Sequence, residues 1–276
     1  IILDTDISPD YDDVGAMAVL HALADSGYIT PLAVIASNAH PLVVPTIEIL
    51  NTYYGCPNLP IAAPKAANAP NEKAVQEWPE MLVAKYPHTY KSSADAPDAI
   101  STYRQLLSAQ PDTSVTIVTI GFLTNLAHLL DSKPDDISPL NGQDLIQQKV
   151  KRLVSMAGLF PEGREYNVFI DSLASEKVFN NWPTEIIFSG FEIGSKVITG
   201  NTLIHSDKIN SPIKEVYAKA MPHWKSDSVG RMSWDQTAVL VAAKGHDPYY
   251  TLQRGKFITK GGNNAWRIIL MENTLT

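Results

Sequence analysis

Apolar, β-rich runs alternate with helical patterns along most of the chain. Six runs read as strands: "IILDT", "PLAVIAS", "LPIAAP", "SVTIVTI", "RLVSMAG" and "TEIIFSG". Between them, apolar residues recur at helical spacing over about Asp13–Ser26, Pro41–Tyr54, Ala96–Ala109, Leu123–Leu130 and Ser172–Asn180. Strands alternating with helices make βαβ units, and these make a mostly parallel sheet. "PLAVIAS" and "TIVTI" are continuously apolar, as expected of strands covered on both faces. The pattern predicts an α/β fold with a mostly parallel central sheet flanked by helices, in a length that allows one large domain or two smaller ones. Three stretches read as long loops: "APKAANAPNEKAVQEWPEM", "LDSKPDDISPLNGQD" and "MPHWKSDSVGRMS". Such loops in α/β proteins are often lids or binding segments. "GKFITKGGNNAWRIIL" reads as an edge hairpin around Gly261–Asn264.

Composition narrows the partners. With 45% hydrophobic and 18% charged residues, the chain of 276 residues is ordinary for a globular protein with a sizeable core. A net charge of −7 argues against a nucleic-acid backbone as partner. No basic run suggests an anionic membrane surface, and no apolar stretch reaches the roughly 20 residues of a spanning helix. The single cysteine, Cys56, rules out an internal disulfide and a thiolate metal cluster. The chain starts at Ile1, already in a strand. An upstream segment is therefore expected to have been removed, a signal peptide being one candidate, and the compartment stays open.

The candidate chemistry lies in "LDTDISPDYDDVG". Asp4, Asp6, Asp10, Asp12 and Asp13 fall within ten residues, at the carboxyl end of the first strand and the start of a helix. In open α/β sheets this is where ligands bind. Two like charges about 5 Å apart repel by roughly 3 kcal/mol at an effective dielectric near 20. A helix amino terminus offsets only about 1 kcal/mol. A hard divalent cation offsets more, since calcium takes six to eight oxygen ligands. The bland alternative makes Asp12 or Asp13 a helix cap and leaves the rest solvated. An EF-hand loop fails, because Pro9 and Gly15 stand where glycine and glutamate belong. A haloacid-dehalogenase-type phosphatase expects Gly-Thr after Asp6, where Ile7-Ser8 stand.

The stretch "LDTDISPDYDDVGAMAVL" resembles the amino-terminal signature of the nucleoside hydrolases, the inosine-uridine-preferring family. It follows that family's longer Asp-Thr-Asp-x-Gly-x-Asp-x-Asp-Asp form, with Ser8 at the usual glycine. Further motifs follow in order: "PLAVIASNAHP", "NTYYGCPNLPI", "VTIVTIGFLTNLAHLL", "LVSMAGLFPEGREYNVFIDSLASEKVF" and "SWDQTAVLVAAKG". They span about residues 1–245.

The resemblance implies a single domain over residues 1–276 with an open Rossmann-like core, and a calcium-dependent N-ribohydrolase that releases base and ribose. By family position Asp6, Asp13 and Asp235 would hold calcium, with the backbone carbonyl of Ile120. Asp6 would be the general base. Asp12 would bind ribose hydroxyls, with Asn38, Glu165 and Asn167 as further sugar contacts. Asp10 has no clear counterpart in the shorter motif and is left to the sugar or the metal. Trp234 stands where many members carry a histidine proposed to protonate the departing base. An indole offers only a weak N–H donor, so Trp234 is expected to stack on the base, with Tyr166 or Trp224. Each residue also has a structural alternative: Asp235 a helix cap, Asn38 a turn residue, Glu165 and Asn167 a surface pair, Trp234 core packing. The implied partner is a nucleoside or related riboside, and family members are usually dimers or tetramers. The rival functions are a non-catalytic calcium-dependent nucleoside or sugar binder on the same fold, and a divalent-metal phosphohydrolase.

Overall fold

The computed structural model describes residues 1–269. The first half runs β1 (Ile2–Thr5), α1 (Asp12–Asp25), β2 (Ala33–Ala36), α2 (Val43–Tyr53), β3 (Ile61–Ala62), α3 (Trp78–Lys85), α4 (Ala99–Ser108), β4 (Val115–Thr119), α5 (Thr124–Asp131) and α6 (Gly142–Lys149). The second half continues with β5 (Val150–Met156), β6 (Glu162–Gly163), α7 (Tyr166–Ile170), α8 (Ser172–Asn181), β7 (Glu185–Ser189), α9 (Phe191–Gly194), β8 (Ile198–Thr199), α10 (Asn201–Ile204) and α11 (Pro212–Ala220). It closes with β9 (Arg231–Met232), α12 (Trp234–Lys244), β10 (Gly255–Lys260) and β11 (Asn263–Ile268).

Six strands form one parallel sheet in the order β3-β2-β1-β4-β5-β7. The chain builds outward from β1 to β3, returns, and builds outward the other way from β4. The order therefore reverses between β1 and β4, the crevice where open α/β sheets bind ligands. Alternate strand residues enter opposite cores. Leu3, Val34, Val118 and Val154 pack under α1, α2, α11 and α12. Ile2, Ile35, Ile117 and Leu153 pack under α4, α5, α6 and α8. Both faces are covered, which is why these strands read as unbroken apolar runs.

Three expectations are refined. "LPIAAP" pairs over only Ile61–Ala62, since Pro60 and Pro64 bracket it and cannot donate to a ladder. The carboxyl-terminal hairpin joins β6 in a separate antiparallel sheet, order β10-β11-β6, instead of edging the main one; Leu270 of that segment lies outside the described residues. The loop after Ala63 ends in α3, anchored by the fully buried Trp78. Among the described residues no helix is long and apolar enough to cross a membrane.

Candidate active site

β1 runs straight into the acidic segment because its apolar residues are needed by both cores and end at Thr5. α1 then begins at Asp12, and the two carboxylates of its first turn sit in the positive potential of the helix amino terminus. Thr5 Oγ1 donates to Asp13 Oδ1 at 2.5 Å and accepts from Ile7 N at 3.1 Å, which fixes the turn. β4 ends beside it. A Cβ at Gly121 would lie 2.5 Å from Asp6 N and 2.7 Å from Asp6 Oδ1, so glycine there lets Ile120 and Asp6 share one wall. α12 delivers Asp235 from the far end of the sequence. A cavity of about 490 Å³ opens here, lined by Asp6, Asp10, Asp12, Asp13, Ile120 and Asp235.

Arg231 divides the carboxylates into two groups. Its Nη2 lies 2.7 Å from Asp10 Oδ2 and 2.9 Å from Asp12 Oδ1, and its Nη1 lies 3.5 Å from Asp227 Oδ2. The guanidinium is stacked 4.7 Å from the Tyr11 ring centroid and 4.9 Å from that of Trp234. Burial works against its charge, but Asp10 and Asp12 more than offset this and keep it protonated. One oxygen each of Asp10, Asp12 and Asp235 lies within 4.8 Å of the others, yet the Asp10–Asp12 side already has its cation. Asp6, Asp13 and Asp235 are all nearly fully buried and have no cationic partner among the described residues.

That deficit sets their proton affinity. Burial, then the charges of Asp13 and Asp10, push Asp6 well above the usual carboxylate range. Burial, then Asp10 and Asp12, do the same to Asp13, against the Thr5 hydrogen bond. Asp235 is raised by burial and by Asp12, Asp13, Asp10 and Asp6. Asp4, behind the cluster, is pushed up to about 7 by burial despite donors from Asn125 and Tyr103. The folded protein without metal thus binds more protons than the unfolded chain above the ordinary carboxylate value near 4. The stability these groups contribute is complete below that value and is lost as pH rises through their raised folded values. In chelator, the melting temperature is expected to fall steadily between pH 5 and pH 8, as followed by scanning calorimetry. Excess calcium should flatten or reverse that slope, since protons compete with a cation for the same oxygens.

The expected sugar-contact residues separate into two kinds. Glu165 and Asn167 do face the cavity. They reach it as the cap and second residue of α7 instead of as an extended pair. Glu165 accepts from Gly158 N, Asn167 N and Val168 N at 2.9–3.2 Å, and Asn167 Nδ2 donates to Met156 O at 3.1 Å. Burial raises Glu165, opposed by those amide donors. Asn38 is not among the residues lining the cavity, and its amide is held by backbone. Its Nδ2 donates to Asp6 O at 3.0 Å and Glu72 O at 2.9 Å, and its Oδ1 accepts from His40 N and Glu72 N, both at 3.0 Å. The amide is saturated by backbone and ties the loop at Glu72 to the turn at Asp6. Asp12 lines the cavity but is likewise engaged by protein: Oδ1 by Arg231, Oδ2 by Trp234 N at 3.1 Å and Asp235 N at 3.3 Å. It caps α12 from another part of the chain.

Trp234 lines the cavity, its Nε1 donating to Phe191 O at 2.8 Å and its ring 5.0 Å from Phe191. Tyr166, Trp224 and Phe169 complete an aromatic side opposite in character to the carboxylates. Arg231 and Gln76 also line the cavity and were not singled out from sequence. Arg231 gives a weak signal, lying four residues before Asp235. Gln76 sits in an irregular loop and gives none.

The sequence model of the inosine-uridine preferring nucleoside hydrolases matches residues 1–264. The chain belongs to that family. The inosine-uridine preferring nucleoside hydrolase of Leishmania major is 26% identical over 197 residues, covering 68% of this chain and 59% of the relative. The pyrimidine-specific ribonucleoside hydrolase of Salmonella typhi is 29% identical over 147 residues, 51% of this chain and 41% of its own. The chain thus spans about three-fifths or less of these nucleoside hydrolases. Among solved structures, an inosine-guanosine nucleoside hydrolase aligns with TM-score 0.71 at 20% identity, covering 99% of this chain and 88% of the other. A plant nucleoside hydrolase aligns with TM-score 0.68 at 20% identity over 96% and 86%. The nucleoside hydrolase fold is thereby shared across nearly the whole chain.

Proposed function

We propose that this nucleoside hydrolase family member cleaves the N-glycosidic bond of a ribonucleoside with the aid of a calcium ion, giving base and ribose. The observation that carries the reading is the trio Asp6, Asp13 and Asp235, buried at one cavity without a neutralising side chain. The candidate donors, these carboxylates and the carbonyl of the cavity-lining Ile120, are all oxygen, the chemistry a hard cation takes. Bound there, calcium would supply orientation of the sugar hydroxyls and a lowered pKa for water. Asp6, buried and with its proton affinity raised, takes the proton from the attacking water. The ribosyl ring gains positive charge as the bond breaks, and the carboxylates beside it stabilise that charge more than the neutral substrate. Asn167 and Glu165 border the sugar. Trp234, with Tyr166 and Trp224, offers the base a stacking surface. The cavity volume lies within the range of about 300–1,000 Å³ common for small ligands.

The test is a panel of purine and pyrimidine nucleosides incubated with the protein and calcium, with reducing sugar assayed. Sugar release that chelator abolishes supports the reading. Saturable nucleoside binding without release assigns the protein to the non-catalytic binders instead.

A further inference from the structure

We propose that Asp10, held by Arg231, is the carboxylate that accepts the ribosyl hydroxyls, and that Asp12 serves as a structural cap. This rests on the riboside reading above. A carboxylate offers about four lone-pair sites. At Asp12 all four are engaged, by Arg231 Nε at 3.2 Å, Arg231 Nη2 at 2.9 Å and the backbone amides of Trp234 and Asp235. Asp12 is 1% exposed, and moving it toward a ligand would uncap α12 and strand a buried guanidinium.

Asp10 has the opposite character. Its side chain is 45% exposed and lines the cavity. One oxygen, Oδ2, is fixed at 2.7 Å by Arg231. Among the described residues no protein donor reaches the other. Arg231 cannot follow a ligand away, because Tyr11 and Trp234 stack on it and Asp227 holds its Nη1. Asp227 is itself fully buried and accepts from Tyr11 OH at 2.5 Å. Asp10 is therefore an aimed acceptor with a free oxygen, which suits vicinal hydroxyl groups. It does not suit a metal, since a divalent ion at Asp10 would sit against the guanidinium charge. The two residues that lengthen the motif between Asp6 and Asp12 are what bring Asp10 to this place. Asp10 is thus a substrate-contact residue and Arg231 a positioning residue.

The experiment compares wild type, Asp10→Asn, Asp12→Asn and Arg231→Lys. For each it records thermal stability, calcium affinity by calorimetry, and kcat and KM for a ribonucleoside and its 2′-deoxy and 3′-deoxy counterparts. Where turnover is too slow, affinities of the same three ligands replace the kinetics. Asp10→Asn is expected to keep its fold and calcium affinity while kcat/KM for the ribonucleoside falls roughly 10- to 100-fold, as for a charged hydrogen bond. The deoxy substrate should barely respond, so discrimination collapses. Arg231→Lys should lose part of that discrimination, because an ammonium cannot fork between Asp10 and Asp12. Asp12→Asn should lower the melting temperature. Unchanged discrimination in Asp10→Asn, or loss of its calcium, overturns the assignment. So does Asp12→Asn if it loses discrimination with stability and calcium intact. A wild type that neither cleaves nor binds any riboside overturns the riboside reading itself, and the Asp10 role falls with it.

Discussion

Asp6→Asn is expected to leave a folded protein whose sugar release is reduced about a thousandfold in kcat, within the 10²- to 10⁴-fold span of a positioned general base. The side chain keeps its shape but can no longer take a proton. Two separate measurements frame the result. Without metal, the variant should melt higher than wild type, because one of three crowded carboxylates has become neutral and burial had been opposing its charge. Calcium affinity should also fall, since Asp6 is counted among the oxygen donors. A variant retaining a tenth or more of wild-type kcat would remove Asp6 from the role of base.

Asp13→Asn should separate metal binding from proton transfer. Outer-shell partners of metal ligands already cost about 10- to 100-fold in affinity when removed. Loss of a carboxylate that ligates directly should exceed that range, read by calorimetric titration. The Thr5 hydroxyl can still donate to the amide oxygen that replaces Asp13 Oδ1, so the turn is retained. The metal-free variant is again expected to be more stable than wild type, as the raised proton affinity of Asp13 requires. High calcium should restore part of the sugar release, because Asp6 is untouched. Calcium affinity equal to wild type would exclude Asp13 as a ligand.

The main sheet was legible because its signal is local. An apolar run of five residues followed by a helical period is the same statement in sequence as in space, and five of the six predicted strands extend over four or more residues. The short β3 departs only where prolines interrupt pairing. The hairpin was legible as a hairpin, but its partner β6 was not, since two residues, Glu162–Gly163, carry no periodicity. At the site, the identity of the acidic residues was readable and their division was not. That division depends on Arg231, which is 219 residues from Asp12. No local pattern shows which of five aspartates a distant guanidinium will choose. Asn38 illustrates the same limit: an amide at a strand end fits a sugar contact or a backbone staple equally well until its four partners are known. Thr124 and Asn125 do open α5, and their side chains also reach Asp171 at 2.6 Å and Asp4 at 3.0 Å, contacts to distant parts of the chain that no local pattern shows.

The pairing of Asp12 with Arg231 also has a meaning in time. At about 5–20 residues per second, a ribosome needs roughly 10–40 s to make the chain between them. During that interval the newly made amino-terminal half carries its acidic turn without the counterion that the finished molecule supplies. Any early compact form must leave that turn hydrated or protonated. Closure of the crevice therefore waits until Arg231 and α12 have emerged and docked.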